Sequence, residues 1–406
     1  MNLRHEEIKC YVKRSEKWRY VTLCISVFLH LSYLSATAQV SVDTLLTIGD
    51  DESAEAQYLF SQISGFARAD DGRLFVSDFS TYNIRVFDES GAFLQQLGER
   101  GEGPGEFERP RILKLTADGD LLVHDGRQAR VTVYDIDTNE VKDILPFGFY
   151  RETPPELTQG DWGGIPRLYQ GPDDTFVLLL VSAGGGIRAV EEGSGHIFAS
   201  LTSDLSGVAD RFGSLELIDF PDEFSRGYTS LNPGYAVAHS NGTIWYAPGP
   251  YDGEISVFEQ AEGAWRHARQ VEGMRVSGAT HLLVDPGTEN EGDLLHWNVS
   301  LTRAEDSRRF KARVLRSSAG IVEQTDGDVL HFSYHETSHT PDGGELIVER
   351  FSPKGRLEGV YSIADGLPLF GSAITVHDID EAGNLYAIDR TGDAPVIRVL
   401  SVEWPE

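Results

Sequence analysis

Cysteine is nearly absent. Among 406 residues only Cys10 and Cys24 carry a thiol, and both fall within the first 38 positions. Downstream, nothing can form a disulfide, bind a metal through sulfur or act as a thiolate nucleophile. Positive charge is scarce as well: 35 Lys and Arg face 64 Asp and Glu, for a net charge of −29. Such a charge opposes non-specific binding to nucleic acid or to an anionic membrane. The acids are spread along the chain rather than gathered in a tail, which is the pattern of a solvated acidic surface. No Gly-x-Ser-x-Gly nucleophile elbow occurs, and a Ser-His-Asp triad cannot be read from linear order.

"VTLCISVFLHLSYLS" (residues 21–35) is apolar and uncharged. Lys13, Arg14, Lys17 and Arg19 precede it, and Ala36-Thr37-Ala38 follows. A basic region, an apolar stretch and a small-residue cleavage site make a secretory signal peptide over residues 1–38. The stretch is short for a transmembrane helix, which needs about 20 residues; an uncleaved anchor is the alternative. The expectation is therefore an exported protein, periplasmic or extracellular, with no membrane span in the mature chain. Residues 39–406 form one domain, large enough to be held by its core alone.

What the chain has in plenty is repetition. "ADDGRLFVSDFSTYNIRVFDESG" (69–91) and "TADGDLLVHDGRQARVTVYDIDT" (116–138) align without a gap at an offset of 47 residues. Asp-Gly pairs fall together at 71–72 and 118–119, Asp78 aligns with Asp125, and Asp88 with Asp135. Short apolar runs lead into "IRVF" and "VTVY", which alternate as half-buried strands do. Asp-Gly suits a tight hairpin because glycine tolerates positive φ. The anchor recurs near Asp174 and at Gly242, Gly327 and Gly383. Six units of four short strands predict an all-β fold, a six-bladed β-propeller with four-stranded antiparallel blades. The segment 40–49 has strand character, and it is expected to close the last blade beside the C-terminal strands, removing an exposed edge.

The longest gap, 85 residues between Gly242 and Gly327, is read as a partly helical insertion at about 273–317. Leu301 to Arg316 is taken as its helix, and a seventh blade is the alternative. "RRFKARVLR" (308–316) is read as a basic face, either for a partner or lying against the acidic body.

"GERGEGPGEFERP" (98–110) is rich in glycine, like a phosphate loop. Its Glu99, Glu102, Glu106 and Glu108 would repel an anion, and a hairpin rather than a helix follows. It is read as the link from blade 1 to blade 2, with Phe107 plugging the gap. Together with the preceding "DGRLFVSDFSTYNIRVFDESGAFLQQL", it resembles NHL-type repeats: a turn, a strand ending in Asp, an Arg-Val-Phe-Asp strand, then a Pro-Gly-x-Phe-x-x-Pro linker. Residues 103–107 and Pro110 match that linker. The chain thus resembles exported bacterial six-bladed propellers of the NHL-repeat and TolB-like group. The resemblance implies a binding or scaffold protein without catalytic activity, although some propeller relatives are lyases or lactonases. The second reading is accordingly a metal-dependent hydrolase or lyase acting at the channel.

In a propeller the shared binding place is the channel mouth. Residues seven to nine before each turn glycine are expected there, which selects Ser64, Arg111, Arg167, Tyr235 and His377. Arginines in so acidic a chain make a local anion site, able to fork onto a carboxylate; the plainer reading is charge balance with neighbouring acids. Asp78, Asp125 and Asp389 suit calcium, but as turn residues they are expected to bind backbone N–H groups. His331, His335 and His339 in "HFSYHETSH" are weak zinc candidates, set against a reading as surface histidines. No cofactor is expected. The expected partner is a protein, peptide or glycan ligand, with no nucleic acid, and the protein is expected to be a monomer.

Overall fold

The computed structural model describes residues 38–49, 55–78, 80–116, 118–146, 167–171, 175–179, 196–202, 205, 207–214, 224–225, 234–275, 281–284, 299–303, 309–336, 344–363 and 374–404. Residues 1–37 of the expected leader, His339 and Asp174 lie outside them, while the leader's last residue, Ala38, is described.

The protein is a six-bladed β-propeller. Blade 1 runs from its inner strand Ile63–Arg68 through Leu74–Asp78 and Asn83–Phe87 to its outer strand Phe93–Leu97. Blade 2 repeats this with Pro110–Leu115, Asp120–Asp125, Arg130–Asp135 and Glu140–Pro146. The inner strands of blades 3 to 6 are Arg167–Gln170, Gly234–Ala238, Arg316–Glu323 and Ile374–Ile379. Each inner strand touches the next, and the sixth touches the first, so the ring is closed.

One turn builds the repeat. In blade 1 the Ala69 amide bonds the Arg73 carbonyl at 2.8 Å, and the Gly72 amide bonds Ala69 at 2.9 Å. Blades 2, 4, 5 and 6 carry the same pair of bonds. Gly72, Gly119, Gly242, Gly327 and Gly383 all have φ between 82° and 86°. That left-handed geometry strains any residue with a Cβ, so glycine holds the position in these five copies.

The ring closes as expected at its ends. Val42–Ile48 pairs antiparallel with Val396–Val402 and forms the outer strand of blade 6. Ala38–Val40 does something the repeat does not foretell: it adds a fifth, parallel strand to blade 5 beside Leu357–Ile363.

The core lies between blades. Phe75, Ile84 and Val86 of blade 1 pack against Leu113, Leu121 and Val123 of blade 2, with Phe107 of the linker among them. The linker is fastened by the Arg130 guanidinium, which donates to the carbonyls of Glu102 (2.9 Å), Gly103 (2.6 Å) and Glu106 (2.7 Å). A Cβ at Gly98 would run into the Phe107 ring. Between blades 3 and 4 the seam is aromatic: Phe212 stacks on Trp265 at 5.1 Å, and Phe198 meets Tyr246 edge-on at 5.3 Å.

Among the described residues the insertion is strand, not helix. Its segments His281–Val284, Val299–Arg303 and Arg309–Val314 are strands, joined with Phe224–Ser225 in a small antiparallel sheet. Phe310, Ala312 and Val314 alternate with Arg309, Lys311 and Arg313, a period of two that belongs to a strand. Scarcity of turn residues misdirects the helical reading. Residues 309–314 of the basic run are thus a strand, Arg308 lies outside the described residues, and Arg316 is buried at the start of the blade 5 inner strand. One short 3-10 turn, Ala56–Tyr58, is the helical element among the described residues, and no described helix is long and apolar enough to cross a membrane.

Candidate functional site: the central channel

The inner strands enclose a cavity of about 1230 Å³, a size that suits a small organic or peptide ligand. Ser64, Arg111, Arg167, Tyr235 and His377 all line it. They come from five blades, each on the inner strand of its blade.

Arg167 opens the blade 3 inner strand. Its Nη1 donates to the Gly234 carbonyl at 2.8 Å, and its guanidinium lies 3.7 Å from the centre of the Tyr235 ring. Both contacts fix its plane before any ligand arrives. Ser64 Oγ donates to the Pro110 carbonyl at 2.8 Å and stands 3.0 Å from Ser77 Oγ, so it ties blade 1 to blade 2. His377 lies deeper, on the blade 6 inner strand at a break in register. Its ring is exposed to the lumen and sits 6.2 Å from Phe66. Its Nε2 is 2.8 Å from Thr375 Oγ1. The crowded lumen lowers its pKa, and the charges of Arg167 and Arg390 lower it further.

Arg390 is a residue the repeat alignment passes over. It follows Asp389 at the end of the second strand of blade 6, and its Nη1 donates to Thr375 Oγ1 at 3.1 Å. In an antiparallel blade the second strand ends where the first begins. The residue after each strand-ending Asp therefore stands at the same mouth, a signal that was present in the spacing.

The other end of the channel is differently charged. Arg68 Nε bonds Asp378 Oδ2 at 2.7 Å across the seam of blades 1 and 6. Burial raises the Asp378 pKa, opposed by Arg68 and Lys114. Burial also lowers that of Lys114, opposed by Asp378. Glu323 accepts the Ser240 amide at 2.8 Å, linking blades 4 and 5 at this rim.

The strand-ending aspartates bind their own turns. Asp125 accepts the amides of Glu108 (2.7 Å), Arg109 (2.9 Å), Arg127 (2.9 Å) and Gln128 (3.0 Å). Asp78 accepts those of Ser61 and Ser80, and Asp389 accepts that of Thr391 together with Arg398 Nε at 2.6 Å. These bonds answer most of their lone pairs.

His331 and His335 are not surface histidines, which corrects that expectation. Both are buried on the second strand of blade 5, Val329–Glu336. His335 Nε2 lies 2.9 Å from Ser333 Oγ. His331 Nε2 lies 2.9 Å from Ser318 Oγ, and its Nδ1 lies 2.9 Å from Glu349 Oε2. Ser318, His331 and Glu349 thus have the order of a nucleophile, base and acid. All three are sealed from solvent, and the Ser318 hydroxyl donates to the Pro248 carbonyl at 2.7 Å. With its proton so placed, Ser318 can only accept from His331. The trio joins blade 5 to blade 4, where Glu349 also accepts the Met274 amide. Burial works against the Glu349 charge, but the bonds from His331 and its neighbours hold the carboxyl below its usual range. Among the described residues no three His, Cys, Asp or Glu side chains stand together as a metal site would need.

Residues 54–152 match the DUF5128 family model, described as a 6-bladed beta-propeller. No curated protein matches the chain. Among solved structures, a member of the DUF4221 family from Bacteroides vulgatus is 14% identical; the match covers 91% of this chain and 100% of that one, with a TM-score of 0.54. A protein described as exported, from Bacteroides fragilis, is 14% identical over 92% of this chain and 98% of its own, at 0.49. Virginiamycin B lyase from Staphylococcus aureus is 12% identical over 89% and 99%, at 0.41. At these identities the likeness is one of fold.

Proposed function

We propose that this protein is an extracytoplasmic binding propeller of the NHL-repeat and TolB-like kind. It holds a protein, peptide or glycan ligand at one mouth of its channel and performs no chemistry on it. The observation that carries the reading is the convergence of Ser64, Arg111, Arg167, Tyr235 and His377 on one cavity. A rigid ring that presents side chains from five blades is suited to recognition, because little is left to order on binding. The Ser318–His331–Glu349 trio adds no catalytic alternative, since it is closed to any substrate. Export rests on the leader at 1–38, which is removed before Gln39. The protein acts as a monomer.

A thermal-shift screen of peptides and oligosaccharides tests this. Ligands that stabilise the protein should lose most of their effect in a Tyr235→Ala, His377→Ala double variant. If the stabilising ligands act equally on both proteins, the channel mouth is not the binding place.

A further inference from the structure

We propose that Arg167 and Arg390 form a fixed receptor for the carboxylate of an organic ligand, such as a peptide C-terminus, whose apolar body lies along the channel wall. The inference rests on the binding role proposed above and names the chemistry of its ligand.

The two guanidiniums belong to different blades and line the same cavity. Among the described residues neither has a carboxylate within ion-pair distance, although eight other arginines do. In a chain of net charge −29, two such cations facing one lumen are not explained by balance of the surface. They oppose each other: Arg167 is one of the charges that disfavour ionisation of Arg390. An anion between them relieves that repulsion.

Each is also positioned. Arg167 donates to Gly234, stands over the Tyr235 ring and also bonds the Tyr169 and Tyr235 side chains; Arg390 spends one donor on Thr375. A guanidinium has five N–H donors, so Arg390 keeps a fork for two oxygens, and Arg167 adds a placed positive charge beside it. His377 completes the place. Thr375 Oγ1 accepts from Arg390 and lies 2.8 Å from His377 Nε2, which ties the ring to the same cation. Burial and the charges of Arg167 and Arg390 disfavour protonation of the ring, so it stands as a neutral polar group beside the two cations. Phe66, Leu113 and Val376 supply apolar wall nearby. Mixed walls of this kind favour an organic anion over a bare inorganic one.

The test is calorimetric titration with N-acetyl-phenylalanine and with its amide, which share a body and differ in the charged end. The acid should bind, and the amide should bind at least about tenfold more weakly, as expected for loss of charge-assisted bonds. Arg390→Gln should reduce the acid's affinity by about tenfold or more and leave the amide's unchanged. Arg68→Gln, at the other end of the channel, should change neither. Equal binding of acid and amide, unaffected by Arg390→Gln, overturns the carboxylate assignment while leaving the channel as the binding place. Displacement of the acid by inorganic phosphate at matching concentration also overturns it, in favour of a general oxyanion site. No binding of either probe at about 10 mM overturns both this assignment and the binding role it rests on.

Discussion

Replacing Phe107 by alanine tests how one linker residue holds two blades together. Phe107 is 0% exposed and packs between blades 1 and 2, with its ring 6.3 Å from that of Tyr134. Burial of a phenylalanine side chain contributes about 1.5–3 kcal/mol, and the cavity left behind adds to the loss, so such truncations cost about 3–5 kcal/mol. Where the cost falls in that range depends on how far the surroundings collapse. Here they are pinned: the Tyr134 hydroxyl donates to Gly105 at 3.2 Å, and Arg130 holds Gly103 and Glu106. The expected loss is therefore in the upper half, about 4–5 kcal/mol. At about 2.1 cal/mol/K per residue, a cooperative unit of about 370 residues loses about 5–6 °C in Tm. Calorimetric or circular-dichroism melting measures this directly. Leu94→Ala is the control: Leu94 is 49% exposed, and its truncation should stay within about 0.5 kcal/mol. If Phe107→Ala melts within about 1 °C of Leu94→Ala, the ring does not fasten the blades and the reasoning fails.

Acid should weaken the fold well before carboxylates protonate. Burial lowers the pKa of His124 to about 4, Asp125 opposing and Arg111 reinforcing, and it likewise lowers that of His335 to about 4. Both are therefore neutral in the fold and more readily protonated when unfolded, so the unfolded state gains protons as pH falls below about 6.5. Each costs about 2 kcal/mol by pH 5, and a Tm unchanged between pH 7 and 5 contradicts this. Glu349→Leu should destabilise by about 3–5 kcal/mol, since it leaves His331 buried without its carboxylate; denaturant unfolding compares it with the wild type, and a loss below about 1 kcal/mol refutes the linkage. Deleting residues 39–48 from the mature chain should bare the edges of Val396–Val402 and Leu357–Ile363 and promote association, read by light scattering; a monodisperse, equally stable product argues against closure by these strands. Mass spectrometry of the exported protein should give a chain beginning at Gln39, and an intact leader on soluble protein refutes cleavage.

The blades were legible because each is built by a local rule. The turn at Gly72 requires positive φ wherever it recurs, so glycine marks it in the sequence without reference to tertiary contacts. Closure by residues 42–48 was legible too, because the first and last repeats are each incomplete. The insertion misleads because few turn residues mark its strand ends, and the alternation in "RFKARV" is only six residues long. His331 was misplaced for another reason. Its burial depends on Glu349, eighteen residues away and on the next strand, and no local pattern reports such a partner. The first-strand rule gathered five cavity residues but passed over Arg390, which reaches the lumen from the end of a second strand.

Val42 pairs with Val402, so nearly the whole chain lies between two partners in a single ladder. Synthesis runs from N- to C-terminus, and the strand that emerges first is the one that waits longest for its neighbour. Five blades can assemble in order as they appear, each against the last, but the ring stays an open arc with two unsatisfied edges until the final strand arrives. Such distant pairing slows folding and prolongs the period in which an edge can capture the wrong strand. The same arrangement places Val42–Ile48 and Val396–Val402 side by side in one blade. A chain recut at the exposed Asp70–Gly72 turn, with its old ends joined, would keep every ladder while exchanging which strand has to wait.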